Sequence, residues 1–154
     1  MELIKGKKLK MSQIFKDGKV VPVTFIKVAD AAVFENFKEG ELVKVTGISR
    51  SLGFQGVVKR WGFHGGPQTH GQKNRLRAPG SSGATAPQRV LKGRKMAGRT
   101  GGVQKTIRNL EVALLDKDNA IFMIKGAVPG YKNSEVKIRK ETTYRALKKA
   151  TAAK

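Results

Sequence analysis

The sequence predicts a mainly β protein, a small β-barrel that carries a long, basic and mostly irregular loop. Three observations lead to this prediction. Strand-length segments rich in β-branched residues lie in both flanks of the chain, residues 62–102 contain too little apolar material for a core, and the formal net charge is +21. A chain of 154 residues suits one domain, or one small domain with an appendage.

Strands are predicted where short runs of Val, Ile, Thr and aromatic residues are bounded by Gly, Asn or Asp. The segments are 19–28, 42–48, 54–61, 106–116, 120–128 and 135–140. The pair Asp17-Gly18 before the first segment, and residues 116–119 after the fourth, have the composition of hairpin turns. About six short strands favour a small barrel over an open sheet.

The acidic residues divide the chain by charge. The N-terminal group of acids ends at Glu41 and the C-terminal group begins at Glu111, so residues 42–110 carry only positive charge. An ordinary solvated surface mixes both signs, whereas this segregation indicates a polyanionic partner. The cations of this window are Lys44, Arg50, Lys59, Arg60, Lys73, Arg75, Arg77, Arg89, Lys92, Arg94, Lys95, Arg99, Lys105 and Arg108.

The run from Gly62 to Gly102 differs in kind from its flanks. Its large apolar residues are Phe63, Leu76, Val90, Leu91 and Met96. Burial of so few side chains does not offset an ordering cost of about 1–2 kcal/mol per residue, so we expect no independent fold. Glycine permits close backbone approach, and Lys, Arg, His and Asn donate to phosphate and sugar oxygens, so RNA is the expected counter-surface.

These segments define the predicted domains. Residues 1–61 and 103–140 form the barrel domain, residues 62–102 form an extended RNA-binding loop, and residues 141–154 form a basic C-terminal tail with a weak helical pattern. The chain has no cysteine, no signal-peptide core and no apolar run long enough for a membrane span. We therefore expect a soluble, intracellular protein.

One stretch has the spacing of a phosphate-binding loop. In "GRKMAGRT" (93–100), Arg99 stands where the motif has lysine. No hydrophobic strand precedes the stretch, no helix-forming run follows it, and no carboxylate of the basic window is available to help hold magnesium. A nucleotide-hydrolysing site is therefore not predicted.

Other catalytic and metal-binding patterns are equally weak. His64 and His70 have no cysteine or nearby carboxylate to complete a metal site. Ser81, Ser82 and Thr85 have no acidic residue in the run to orient a base. We predict that the protein is not an enzyme and has no catalytic residue, metal or cofactor.

The predicted RNA-binding residues combine cations of the window with its two histidines and its tryptophan. They are Lys59, Arg60, Trp61, His64, His70, Lys73, Arg75, Arg77, Arg89, Lys92, Arg94, Lys95, Arg99 and Lys105. Trp61 has two interpretations, because it either stacks on a base or covers the barrel where the loop leaves it.

Three motifs in order along the chain resemble the bacterial-type large-subunit ribosomal protein L3 family. They are "VVKRWGFHGGPQTHGQKNRLRAPGSSG", "RVLKGRKMAGRTGG" and "AIFMIKGAVPG", and "GKKLKMSQIF" resembles the N-terminal strand of the family. The resemblance covers most of the chain. It implies a six-stranded barrel of the translation-protein type on the subunit surface and a loop that runs inward through rRNA.

The resemblance also implies a location and partners. The partners are large-subunit, 23S-type rRNA and neighbouring ribosomal proteins in the cytoplasmic ribosome, with no membrane and no small-molecule substrate. The loop tip, which the resemblance puts near the peptidyl-transferase centre, comprises Gly80, Ser81, Ser82, Gly83, Ala84 and Thr85.

The sequence departs from the family pattern in two places. Residues 29–38 replace a substantially longer insertion of most relatives, so a peripheral subdomain is expected to be missing. The tip is one residue shorter, with Thr85 nearest the glutamine that is methylated in some bacterial members, and that modification is not carried over.

These observations predict a structural constituent of the large ribosomal subunit that binds rRNA and supports subunit assembly. The alternative is a free-standing RNA chaperone or architectural nucleic-acid-binding protein, which the same charge would serve. An RNA-modifying enzyme is a third and more distant reading.

Overall fold

The computed structural model describes residues 3–29 and 31–141. The predicted C-terminal tail therefore lies outside the described residues, apart from Glu141. The chain divides into two compact units, one formed by Met1–Arg50 with Gly102–Lys154 and the other by Ser51–Gly101. We call them the barrel unit and the basic unit.

The barrel unit contains six strands. They are β1 (Ile4–Lys16), β2 (Lys19–Val28), β3 (Leu42–Ile48), β6 (Gln104–Asp116), β7 (Ile121–Lys125) and β8 (Glu135–Lys140). All neighbours are antiparallel, and the order β1-β2-β7-β6-β3-β8 is closed into a barrel by the pairing of β1 with β8. The predicted mainly β class with six strands is confirmed.

Alternation of buried and exposed residues explains why β8 faces the core with one side only. In β8, Val136 and Ile138 are buried, whereas Glu135, Lys137 and Arg139 are exposed. Successive strand residues point to opposite faces, so a period of two places every second side chain inside the barrel.

Both predicted hairpin turns are confirmed. Asp17 and Gly18 have φ of 52° and 70°, the left-handed geometry that two-residue hairpin turns require and that glycine adopts without strain. In the turn from β6 to β7, the Asn119 side chain donates to Asp116 Oδ2 over 2.8 Å and its backbone N–H donates to Oδ1 over 3.2 Å. These hydrogen bonds lower the pKa of the Asp116 carboxyl.

The short segment between β2 and β3 supplies part of the core. A 3-10 helix at Ala31–Asn36 positions Phe34 in the interior, where its ring stacks 5.9 Å from that of Phe122. Phe37 meets the same ring edge-on at 5.4 Å. The segment between β2 and β3 thus does more than connect two strands. Burial of each phenylalanine stabilises the fold by about 1.5–3 kcal/mol.

Lys8 ties strand β1 to the loop before β8. Its side chain is buried, and Nζ donates to the carbonyls of Val128 over 2.7 Å and Gly130 over 3.1 Å. Burial lowers the pKa of this ammonium group, since desolvation disfavours the charged form. Two carbonyl acceptors offset part of that cost.

The strand predicted for residues 54–61 is wrong. The structure has a three-residue strand, β4 (Gly53–Gln55), followed by a single helical turn, α1 (Val57–Trp61). The β-branched pair Val57-Val58 suggested a strand, but the extended backbone continues only to Gly56, the N-cap residue of α1. Gly62, at φ 73°, ends the helix with its N–H bonded to the Val58 carbonyl. The sixth barrel strand is the N-terminal β1 instead.

This correction moves a domain boundary. Residues 51–61, predicted to belong to the barrel, lie in the basic unit together with β5 (Gly98–Thr100), which pairs with β4. Between α1 and β5 the chain has no helix and no strand.

Candidate nucleic-acid interface

The basic unit has almost no interior. Of residues 51–101 only Val57 is buried, and every Lys, Arg and His there except the half-buried Arg60 is exposed. The unit contains ten Lys and Arg residues and no Asp or Glu, so no ion pair can form within it. The side chains of the unit therefore leave its positive charge uncompensated.

Trp61 is held by main-chain contacts within the basic unit. Its indole N–H donates to the Met96 carbonyl over 2.8 Å, and Arg60 Nη1 donates to the same oxygen over 2.8 Å. The Arg60 guanidinium lies 5.1 Å from the ring centroid and Lys95 Nζ lies 5.7 Å from it. Trp61 is 42% exposed, so a π surface flanked by two cations remains accessible.

A close approach between two segments shapes the unit between residues 62 and 78. The Gly66 N–H donates to the carbonyls of Arg75 and Leu76 over 3.0 and 3.2 Å. A Cβ on Gly65 would lie 1.9 Å from the Leu76 carbonyl oxygen, and one on Gly66 would lie 2.8 Å from that of Arg75. Only glycine fits at these two positions, and the turn between the segments exposes His70 and Lys73.

The uncharged tip, residues 80–85, contacts a cation from the chain that leads into β5. The Arg94 guanidinium donates to the Ser81 carbonyl, while Ser81 Oγ donates to the Gly83 carbonyl over 3.0 Å. The other predicted tip residues, Gly80, Ser82, Ala84 and Thr85, are exposed.

The remaining predicted RNA-binding residues have separate locations. Lys59 lies on α1 and Arg99 lies on β5 opposite Phe54. Lys105 lies on β6, in the barrel unit. The predicted residues in the irregular part of the basic unit are His64, His70, Lys73, Arg75, Arg77, Arg89, Lys92, Arg94 and Lys95.

Neither a metal centre nor a membrane span is found in the part of the chain that the structure describes. No group of three or more His, Cys, Asp or Glu residues there could hold a metal ion. Among the same residues, no helix has the length and hydrophobicity needed to cross a bilayer.

Sequence reasoning missed a second basic surface, on the barrel unit. Lys5 on β1 lies directly opposite Lys137 on β8, and Arg139 on β8 lies directly opposite Lys44 on β3. Like charges opposite each other destabilise a sheet. We call the surface formed by Lys5, Lys7, Lys44, Lys137 and Arg139 the β1-β8-β3 face.

One acid adjoins the β1-β8-β3 face: Glu135 on β8 lies opposite Lys7 on β1 in the strand register. Its like-charge pairs have no evident benefit to folding, and a bound polyanion would relieve their repulsion. The alternating cations in "IKGKKLK" and "EVKIRK" were the available signal. They were missed because the acid-free window of residues 42–110 excludes both segments, and only strand pairing brings them together.

Comparison with known proteins identifies the family. The profile of the ribosomal protein L3 family matches residues 13–120, well over half of the chain. The chain is 46% identical over 129 residues to large ribosomal subunit protein uL3 of Dehalococcoides mccartyi strain BAV1, covering 83% of this chain and 63% of the relative. This protein belongs to the ribosomal protein L3 family, and the resemblance in its motifs is confirmed.

Other relatives match a shorter part at higher identity. The uL3 protein of Chlorobaculum parvum is 55% identical over 103 residues, covering 66% of this chain and 49% of the relative. That of Chlorobium limicola is 55% identical over 105 residues, covering 68% of this chain and 50% of the relative. The chain spans between about half and two thirds of the length of these relatives.

Proposed function

We propose that this protein is a structural, non-enzymatic constituent of the large ribosomal subunit that binds 23S-type rRNA and supports subunit assembly. Membership of the ribosomal protein L3 family supports the proposal, as do relatives named large ribosomal subunit protein uL3. On this proposal it acts in the cytoplasm, within the ribosome, beside neighbouring ribosomal proteins.

The observation that carries the proposal is the composition of the basic unit. It has ten cations, no carboxylate and one buried side chain, so an internal core cannot account for its order. RNA phosphates supply the missing counter-charge and RNA grooves supply the missing packing surface. Segments of this kind order on a nucleic-acid partner.

Within the basic unit, charged and uncharged parts have different proposed roles. The exposed cations position the unit by contacts with phosphate, which supply most of the binding energy. The tip from Gly80 to Thr85 has no charge and no large side chain, so it suits a place where RNA packs tightly. By family resemblance we place this tip near the peptidyl-transferase centre in the assembled subunit.

The β1-β8-β3 face is proposed as a second rRNA contact. Its cross-strand cations Lys5 and Lys137 are exposed on adjacent strands, a spacing that suits neighbouring phosphates along one backbone. The translation-protein-type barrel would then act as an anchor on the subunit surface, in addition to the basic unit.

Co-sedimentation with ribosomal subunits over a salt series tests the proposal. An integral subunit protein stays with large subunits at high salt because many phosphate contacts and packed RNA surfaces hold it together. Release at moderate salt, together with equal affinity for rRNA and unrelated RNA, would instead identify a free-standing RNA chaperone. Co-migration with small subunits or with no subunit would contradict the proposal.

A further inference from the structure

The basic unit contains a cavity that the proposed function does not use. Its volume is about 450 Å³, within the range of roughly 300–1,000 Å³ that small-molecule sites occupy. It is lined by residues from α1, from the segment just before the tip, from the tip and from the chain leading into β5. All of these lie within residues 51–101.

One part of the lining is apolar. Val57, Phe63, Pro79 and Met96 contribute to it, and Val57 is the single buried residue of the unit. Gly56 and Ala97 also line the cavity and leave space because they have little or no side chain. An apolar wall that includes an aromatic ring is the surface on which a flat, weakly polar ring system packs.

The other part of the lining is cationic. Arg77, Arg94 and Lys95 line the same cavity, with the hydroxyl groups of Ser81 and Ser82 beside them. Arg94 donates to the Ser81 carbonyl, which leaves further guanidinium N–H groups for another acceptor. With no carboxylate in the unit, the ligand must supply the negative charge.

We propose that this cavity binds one unpaired nucleotide of an RNA, with its base against the apolar wall and its phosphate against Arg77, Arg94 and Lys95. The inference rests on the proposed function and adds to it a site that selects RNA structure rather than charge alone. An RNA residue is favoured over a free mononucleotide because the remaining cations of the unit surround the cavity and can follow a continuing backbone.

The test compares three RNA hairpins that differ at one position. One has a bulged 2-aminopurine nucleotide, the second has an abasic bulge and the third is fully paired. We expect the full-length protein to bind the bulged hairpin about tenfold more tightly than the other two, equivalent to about 1.4 kcal/mol. Equal affinity for the bulged and abasic hairpins would overturn the proposal, because the base would then make no contact.

Filling the cavity is the second arm of the test. Ser82→Phe and Ala97→Phe introduce a ring from two different segments of the lining. Each should abolish the preference for the bulged hairpin without weakening the binding of the fully paired hairpin. The matched control is Gln68→Phe, at an exposed position of the same unit outside both the lining and the tip, which should keep the tenfold preference. Retention of the preference in both cavity variants would contradict the proposal.

A mononucleotide control separates the two sources of the ligand. Because Trp61 is the only tryptophan and bonds to the carbonyl of Met96 in the lining, its fluorescence reports on occupancy. AMP should bind far more weakly than the bulged hairpin, and equal affinity would identify a free-nucleotide site instead. If no hairpin binds at all, the proposed function itself fails. If all three hairpins bind equally, only the proposal for the cavity fails.

Discussion

In the barrel unit, Phe34 and Phe37 pack on Phe122 inside a closed ring of strands, and acids such as Glu41 and Glu111 pair with Lys140 and Lys125. In the basic unit, one side chain is buried and no acid is present. The first unit obtains its order from apolar burial, whereas the second has neither a sizeable core nor an internal counter-charge. The barrel unit and the basic unit should therefore respond to different perturbations.

The largest expected effect is on the barrel core. Phe34→Ala leaves a cavity beside Phe122 and should lower the free energy of unfolding by about 3–5 kcal/mol. The matched change in the basic unit, Leu91→Ala, removes an exposed side chain and should stay within about 0.5 kcal/mol. Urea denaturation measures both, and similar losses would show that the basic unit has a core of its own.

Charge removal should show the opposite pattern. Combined Lys73→Ala, Arg89→Ala and Lys92→Ala should reduce the magnitude of the log–log salt slope of rRNA binding by about 2.1–2.7, since each phosphate contact contributes about 0.7–0.9. Unfolding should be unaffected because all three side chains are exposed.

The control for charge removal lies in the barrel unit. Lys117→Ala, in the turn between Asp116 and Asp118, should leave the slope unchanged. An unchanged slope in the triple variant would mean that its three cations face solvent in the complex.

Limited digestion with trypsin should show, in a single experiment, that the two units differ in susceptibility to cleavage. Without RNA, the first cuts should fall between Lys73 and Arg99, where exposed cations lie on chain with little regular structure, while the barrel strands resist. Bound rRNA should slow these cuts and leave the rest of the pattern as it was. Early cuts within β3 or β8 would contradict the comparison.

The smallest effect sharpens the comparison within the barrel unit. Lys137→Glu replaces a like-charge pair with Lys5 by an opposite-charge pair and should stabilise the barrel by about 0.2–1 kcal/mol. The same change should weaken rRNA binding if the β1-β8-β3 face contacts phosphate. Lys137→Gln is the control, and it should give intermediate values of both quantities.

Local patterns in the sequence predicted much of the fold. The period-two alternation of "EVKIRK" and the Asp17-Gly18 turn specify a strand and a hairpin with little help from distant residues. Residues 54–61 were mistaken for a strand because β-branched propensity outweighed the signals at Gly56 and Gly62. Burial of Val57 and the contacts of Trp61 with Met96 are long-range features that propensity does not contain.

The sequence by itself determined the segregation of charge, the shortage of core residues between 62 and 102, and the family, because composition and motif order need no coordinates. Tertiary structure alone decided which distant residues meet. Pairing of β1 with β8 puts Lys5 opposite Lys137, insertion of Phe34 makes a short connection part of the core, and the approach of Ser81 to Arg94 forms part of the cavity wall. The first two contacts join segments far apart in the chain and depend on closure of the barrel, whereas the third folds a 13-residue stretch of the basic unit back on itself; none follows from a local preference.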